Sequence, residues 1–174
     1  MIVLAPTGIA AINAGGVTIH SFFQVPFAPY VPESSFSADG KATYRFRYGK
    51  EKINIIRSID LLVIDEISMV RADLLDSVDA VLRRFRDRNK PFGGVQLLMI
   101  GDLQQLSPVV KDDEWQMLRK YYDTPYFFSS QALKQTEYCT IELKKVYRQN
   151  DGTFLELLNR IRENRCDGQV LEAL

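Results

Sequence analysis

Cysteine and histidine are scarce in this 174-residue chain: Cys139 and Cys166 stand alone, without a CxxC pair, and His20 is the single histidine. That excludes a disulfide scaffold and a zinc site, and it favours a reducing, cytoplasmic setting. Net charge is missing as well, with 22 Lys and Arg against 22 Asp and Glu. The chain therefore has no bulk attraction to polyanions or membrane surfaces, and contact with any nucleic acid has to be local. The first 32 residues carry no formal charge, yet a basic n-region is absent, and Pro6, Thr7, Asn13 and His20 interrupt the apolar run. A secretion signal and a membrane span are both excluded. No segment is repetitive or of low complexity.

What is present is a folded module. Hydrophobic residues at 46% and aromatics at 11% are globular values, and the length suits one domain with a real core. MIVLA (1 to 5), LLVID (61 to 65) and VQLLMIGD (95 to 102) are short apolar runs bounded by turn residues. Such runs are expected of strands buried on both faces of a parallel sheet. Between the last two, Leu74, Leu75, Val78, Val81, Leu82 and Phe85 form one apolar helical stripe. Asp73, Asp76 and Asp79 in its early half, and Arg83, Arg84, Arg86 and Arg88 in its late half, suit the helix dipole. Pro91, Gly93 and Gly94 then turn the chain into the next strand. Strand, helix and strand make a right-handed crossover, and in such α/β sheets ligands sit at the carboxyl ends of the strands.

At one of those ends stand Asp65 and Glu66, and at another Gly101 and Asp102. A carboxylate after an apolar strand suits a magnesium ion, and a second one beside it can orient and deprotonate a water. The same pair could equally cap the following helix or face solvent. A phosphate-cradling loop of the form GxxxxGK[ST] is absent. Of the two Gly-Lys pairs, at 40 to 41 and 49 to 50, neither qualifies: Ser35 and Tyr44 occupy the first glycine positions, and Ala42 and Glu51 follow the lysines.

Three stretches extend the pattern: APTGIAAINAGGVTIHSFF (5 to 23), DEISMVRADLLDSVDAVLRRFRDRNKPFGGVQ (65 to 96) and GDLQQLSPV (101 to 109). Together they resemble the petite-integration-frequency (Pif) DNA helicases, the RecD-like branch of helicase superfamily one. The segment from 76 to 96 resembles that family's signature, and the resemblance runs from about residue 2 to about residue 162, weakest between 25 and 57.

The resemblance implies a P-loop NTPase fold of the RecA-like type, a parallel sheet flanked by helices, over residues 1 to 165, with 166 to 174 a terminal stub. It implies ATP and Mg2+ as cofactors, and single-stranded DNA and duplex junctions as partners, with no membrane. It also implies 5′ to 3′ translocation in the cytoplasm, on the nucleoid if the source is bacterial, in the service of DNA repair and telomere maintenance. Asp65 and Glu66 match the Walker B pair, Asp65 on the metal and Glu66 activating water. Gln105 matches the glutamine that senses the γ-phosphate, although Ser107-Pro108 stands where the family has Pro-Pro. VYRQND (146 to 151) resembles motif IV, which makes Arg148 an arginine finger, a role suited to a planar, delocalised charge. Without the family, Gln105 could be a loop-packing amide and Arg148 a surface ion pair.

In the related helicases APTG and the THSFF-like segment touch single-stranded DNA, which makes Thr7, Gly8, His20 and Ser21 candidate contacts. Gly8 lets a phosphate approach the backbone closely, and Thr7 offers a hydroxyl. His20 could instead pack under the loop, and Phe22 and Phe23 are expected in the core. Between 25 and 57, the alternation in TYRFRYGK suits either a half-buried hairpin or a strand laying bases on rings and phosphates on Arg45 and Arg47. By resemblance the Walker A loop lies upstream of APTG and a second RecA-like domain lies downstream. The chain is accordingly expected to be a fragment of the first motor domain, inactive by itself. A non-catalytic remnant, a DNA-binding module or another P-loop ATPase remain the alternative readings.

Overall fold

The computed structural model describes residues 1–31, 48–143, 145 and 152–165. Arg45, Arg47, Arg148, residues 32–47 of the 25 to 57 region and the 166 to 174 stub lie outside the described residues. The chain divides into two compact units, Met1–Glu137 and Tyr138–Leu174.

The first unit is built on four parallel strands, β1 (Ile2–Ala5), β2 (Val17–Thr18), β3 (Leu61–Ile64) and β4 (Gln96–Met99), in the order β2-β1-β3-β4. Leu4 pairs with Val17 and Ile64, and Ile64 pairs with Met99, so the carboxyl ends of all four strands share one edge. The three expected strands are present with shorter bounds. Burial on both faces holds for β3, where Leu62, Val63 and Ile64 are all buried. It does not hold for β4, whose Leu97 and Met99 pack against the core while Leu98 and Ile100 stay about half exposed. β4 is an edge strand of this sheet, and its Leu98 and Ile100 side remains open to solvent.

Threonines start the first helices. Thr7 accepts from the Ala10 amide at 3.3 Å to open α1 (Gly8–Asn13), and Thr18 accepts from Ser21 at 3.2 Å to open α2 (Ile19–Phe23). Each such cap satisfies an N–H that the first helical turn leaves without a partner. Phe22 and Phe23 are buried, as the sequence suggests. After α3 (Lys50–Arg57) and β3, the long helix α4 (Ala72–Phe85) buries Leu74, Leu75, Val78, Val81 and Leu82 in the main core. Each fully buried side chain of that size contributes roughly 1.5–3 kcal/mol.

The acidic residues of α4 do more than complement its dipole. Asp73 and Asp76 are buried, and Asp79 joins Arg83 one turn on and accepts from the Phe92 amide in the turn Pro91–Gly94. Burial raises the Asp79 carboxyl above its ordinary value, against those two hydrogen bonds. Asp76 accepts from Tyr122 Oη, Ser130 Oγ and the amides of Gln131 and Ala132. It thereby pins the start of α6 (Gln131–Lys134) to α4. Between β4 and α6 lies α5 (Asp112–Leu118). In the second unit, α7 (Gly152–Arg162) is amphipathic.

Candidate functional site

Asp65 and Glu66 occupy the first turn after β3. The Asp65 amide still bonds to Leu4 of β1 at 2.9 Å, which holds the residue in line with the sheet. Its Oδ1 accepts from the Glu66 amide at 3.0 Å, and Glu66 has a left-handed backbone, φ 51°, uncommon for a non-glycine residue. That turn ends the strand and aims two partly exposed carboxylates beyond the sheet edge. Neither side chain caps a helix: the turn Ile67–Met69 has no side-chain cap, and neither does α4, whose N-cap position is Arg71.

The end of β4 is locked to the same turn. The Ile67 amide donates to Ile100 O at 2.9 Å, and a Cβ on Gly101 would meet Ile67 Cγ2 at 2.9 Å and the Ile67 and Ser68 nitrogens at 3.0 and 3.1 Å. Only glycine allows this approach. From there Asp102 organises the loop, Oδ1 accepting from the Gln104 amide and Oδ2 from Gln105 Nε2, both at 3.0 Å. Gln105 is exposed and held by a loop carboxylate. The sheet thus brings Asp65, Glu66, Asp102 and Gln105 to one edge.

Thr7, Gly8, His20 and Ser21 stand at the same edge, after β1 and β2. A Cβ on Gly8 would meet nothing within 4 Å, so no contact inside the protein requires glycine there. Ser21 is exposed. His20 is partly buried and stacks on Phe27, ring centroids 4.4 Å apart and planes 21° apart. Burial first, and then the Arg71 charge, hold its pKa below the ordinary 6.5, against an opposing pull from Asp73. The two rings border a cleft of about 260 Å³ that is also lined by Thr7, Met69, Arg71 and Asp73.

Arg71 ties this region together. Its Nε and Nη2 donate to the two oxygens of Asp73 at 2.9 and 2.8 Å, and Nη1 donates to Glu114 of α5 at 3.1 Å. Burial works against the guanidinium charge, but Asp73 and then Glu114 hold its pKa above the ordinary value. Asp73 Oδ2 also accepts from the Tyr30 amide at 2.9 Å, which anchors the segment after α2. Sequence reasoning missed this hub because its partners lie 43 residues apart on either side. Asp76 was missed for a related reason, since an aspartate on a helix reads first as a solvated charge. Phe27 was overlooked among prolines, and no periodicity marks it.

Among the described residues no three His, Cys, Asp or Glu side chains form a ready-made metal cage. Magnesium in nucleotide sites takes one or two carboxylates and completes its shell with water and phosphate. Asp65, with Glu66 beside it, meets that requirement.

A family model of PIF1-like helicases matches residues 1–170. The human ATP-dependent DNA helicase PIF1 is 40% identical over 178 residues, covering 98% of this chain and 24% of the relative. The PIF1 of Saccharomyces cerevisiae is 38% identical, covering 97% of this chain and 18% of the relative. This chain therefore spans about a quarter or less of these curated relatives. The crystal structure of Bacteroides Pif1 in complex with ADP-AlF3 and single-stranded DNA matches 98% of this chain and 38% of its own, at 43% identity and a TM-score of 0.90. The Candida albicans Pif1 structure matches 99% of this chain and 36% of its own, at 32% identity and a TM-score of 0.75. A sequence match over nearly the whole chain, on a parallel sheet shared with solved Pif1 structures, makes this chain a member of the PIF1-like helicase family.

Proposed function

We propose that this chain is most of the first motor domain of an ATP-dependent DNA helicase that moves along single-stranded DNA and opens duplex junctions. The observation that carries the reading is the locked turn at the ends of β3 and β4, which sets Asp65 and Glu66 beside the loop of Asp102 and Gln105. Asp65 would hold Mg2+, which when bound neutralises phosphate charge. Glu66 would accept the proton of the water that attacks the γ-phosphorus as ADP departs. Gln105, tethered by Asp102, would report the γ-phosphate to the loop that follows. Arg148 would supply the finger, though it falls outside the described residues. The residues contain no phosphate-cradling loop of their own, and in this reading another segment of the full-length polypeptide would position the nucleotide.

Thr7, Gly8, His20 and Ser21 would carry the DNA contacts. The open space before Gly8 supports this, because a glycine without an internal steric reason leaves its backbone accessible to a phosphate.

Single-strand-stimulated ATP hydrolysis by the full-length protein tests the reading. Glu66→Gln is expected to keep nucleotide binding and lower turnover on the order of 10²- to 10⁴-fold. Absence of DNA-stimulated hydrolysis in the wild type, or full turnover in Glu66→Gln, would overturn it.

A further inference from the structure

We infer that the outer face of Phe27 is a stacking platform for one unpaired nucleobase, with His20 as the ring that backs it. The inference rests on the reading of this edge as a single-strand contact. Phe27 is 80% exposed, an unusual place for a phenylalanine with no partner to meet. It is not a loose side chain, since one face lies against His20 in a near-parallel stack. The other face is left to what arrives from outside.

The backbone around it is fixed at both ends. Gln24 ends α2 in a left-handed conformation, φ 49°, and Val25 is buried at once. Five residues on, the Tyr30 amide is held by Asp73, itself buried and paired with Arg71. Phe27 is thus presented from a short span anchored on the core and on a buried carboxylate. Pre-setting an aromatic ring in this way lowers the ordering cost of binding.

The surroundings favour a base over other occupants. Thr7, which opens the helix after β1, borders the same cleft, so a strand held at Thr7 would lie beside Phe27. The guanidinium of Arg71 is committed to Asp73 and Glu114 and contributes no free charge for a phosphate. A lowered pKa keeps His20 neutral near pH 7, so the pair acts there as two uncharged rings. A π-face accepts any base, which matches a motor that must pass every sequence.

The experiment uses the full-length protein and a set of oligo(dT) strands, each carrying one 2-aminopurine at a different position. In the wild type, one position is expected to show a distinct fluorescence change on binding. Phe27→Ala should abolish that change and weaken binding by roughly ten-fold. Phe27→Trp should restore both, and Phe27→Leu should restore neither. Wild-type affinity and an unchanged 2-aminopurine pattern in Phe27→Ala would overturn the platform. So would full rescue by Phe27→Leu, which would mark Phe27 as apolar cover for another protein segment. Failure of the wild type to bind any of the strands would instead sink the DNA reading beneath it.

Discussion

Gly101 and Ile67 sit so close that a Cβ on the glycine would lie 2.9 Å from the isoleucine Cγ2 and 3.0 Å from its backbone nitrogen. The contact joins the end of β4 to the turn that displays Asp65 and Glu66. The two loops that carry the proposed metal ligand, Asp65, and the proposed phosphate sensor, Gln105, are therefore set in register by one missing side chain.

Gly101→Ala must push that turn aside. Overpacking of this kind costs roughly 1–3 kcal/mol. The displaced turn is expected to impair hydrolysis beyond what the loss of stability explains. Urea unfolding and the ATP turnover of the full-length protein, measured on the folded fraction, check both parts.

Asp76 offers a second case in which one side chain organises distant segments. Tyr122 Oη donates to it at 2.9 Å, as do the Gln131 and Ala132 amides at 3.0 Å, and Ser130 Oγ joins them. Asp76→Ala would leave buried donors without an acceptor, at about 3 kcal/mol or more. Asp76→Asn keeps one carbonyl oxygen and should lose clearly less. Denaturant midpoints of the two variants should rank in that order.

These residues mark where sequence reading succeeds and where it stops. β1, β3, β4 and α4 could be read directly, because apolar runs and a single helical stripe are local signals. So could the position of Asp65 and Glu66, since a parallel strand that ends on carboxylates delivers them to the ligand edge. β2 was invisible because two residues, Val17 and Thr18, carry no periodicity. Arg71, Asp73 and Asp76 look like ordinary helix-surface charges until the fold brings up partners from far along the chain. The half-open state of β4 was equally beyond reach, since a run such as QLLM does not say what covers each face.

His20 predicts a pH dependence. Its folded pKa lies below the ordinary 6.5, chiefly through burial, so the unfolded chain binds a proton more readily than the folded one. Its contribution is present at pH 7 and is lost as the pH falls below about 6.5 toward the folded pKa. Thermal melts of the wild type between pH 7.5 and 5 (roughly spanning that ordinary value) should decline more steeply than those of His20→Gln. Parallel profiles would assign the acid limb to other groups.

Arg71 and Asp73 allow two roles of one ion pair to be separated. Asp73 is 2% exposed and Arg71 14%, so Arg71→Met leaves a nearly buried carboxylate without its cation, at roughly 3–5 kcal/mol. Replacing both residues, in Arg71→Met with Asp73→Leu, removes the stranded charge and should recover most of that stability. The double variant also deprives the Tyr30 amide of its acceptor, which the single variant does not. Hydrogen exchange at Tyr30 should therefore be faster in the double variant, although its denaturation midpoint is higher. If exchange at Tyr30 instead follows global stability in both variants, the segment after α2 is held by other contacts, and Asp73 serves only as the partner of Arg71.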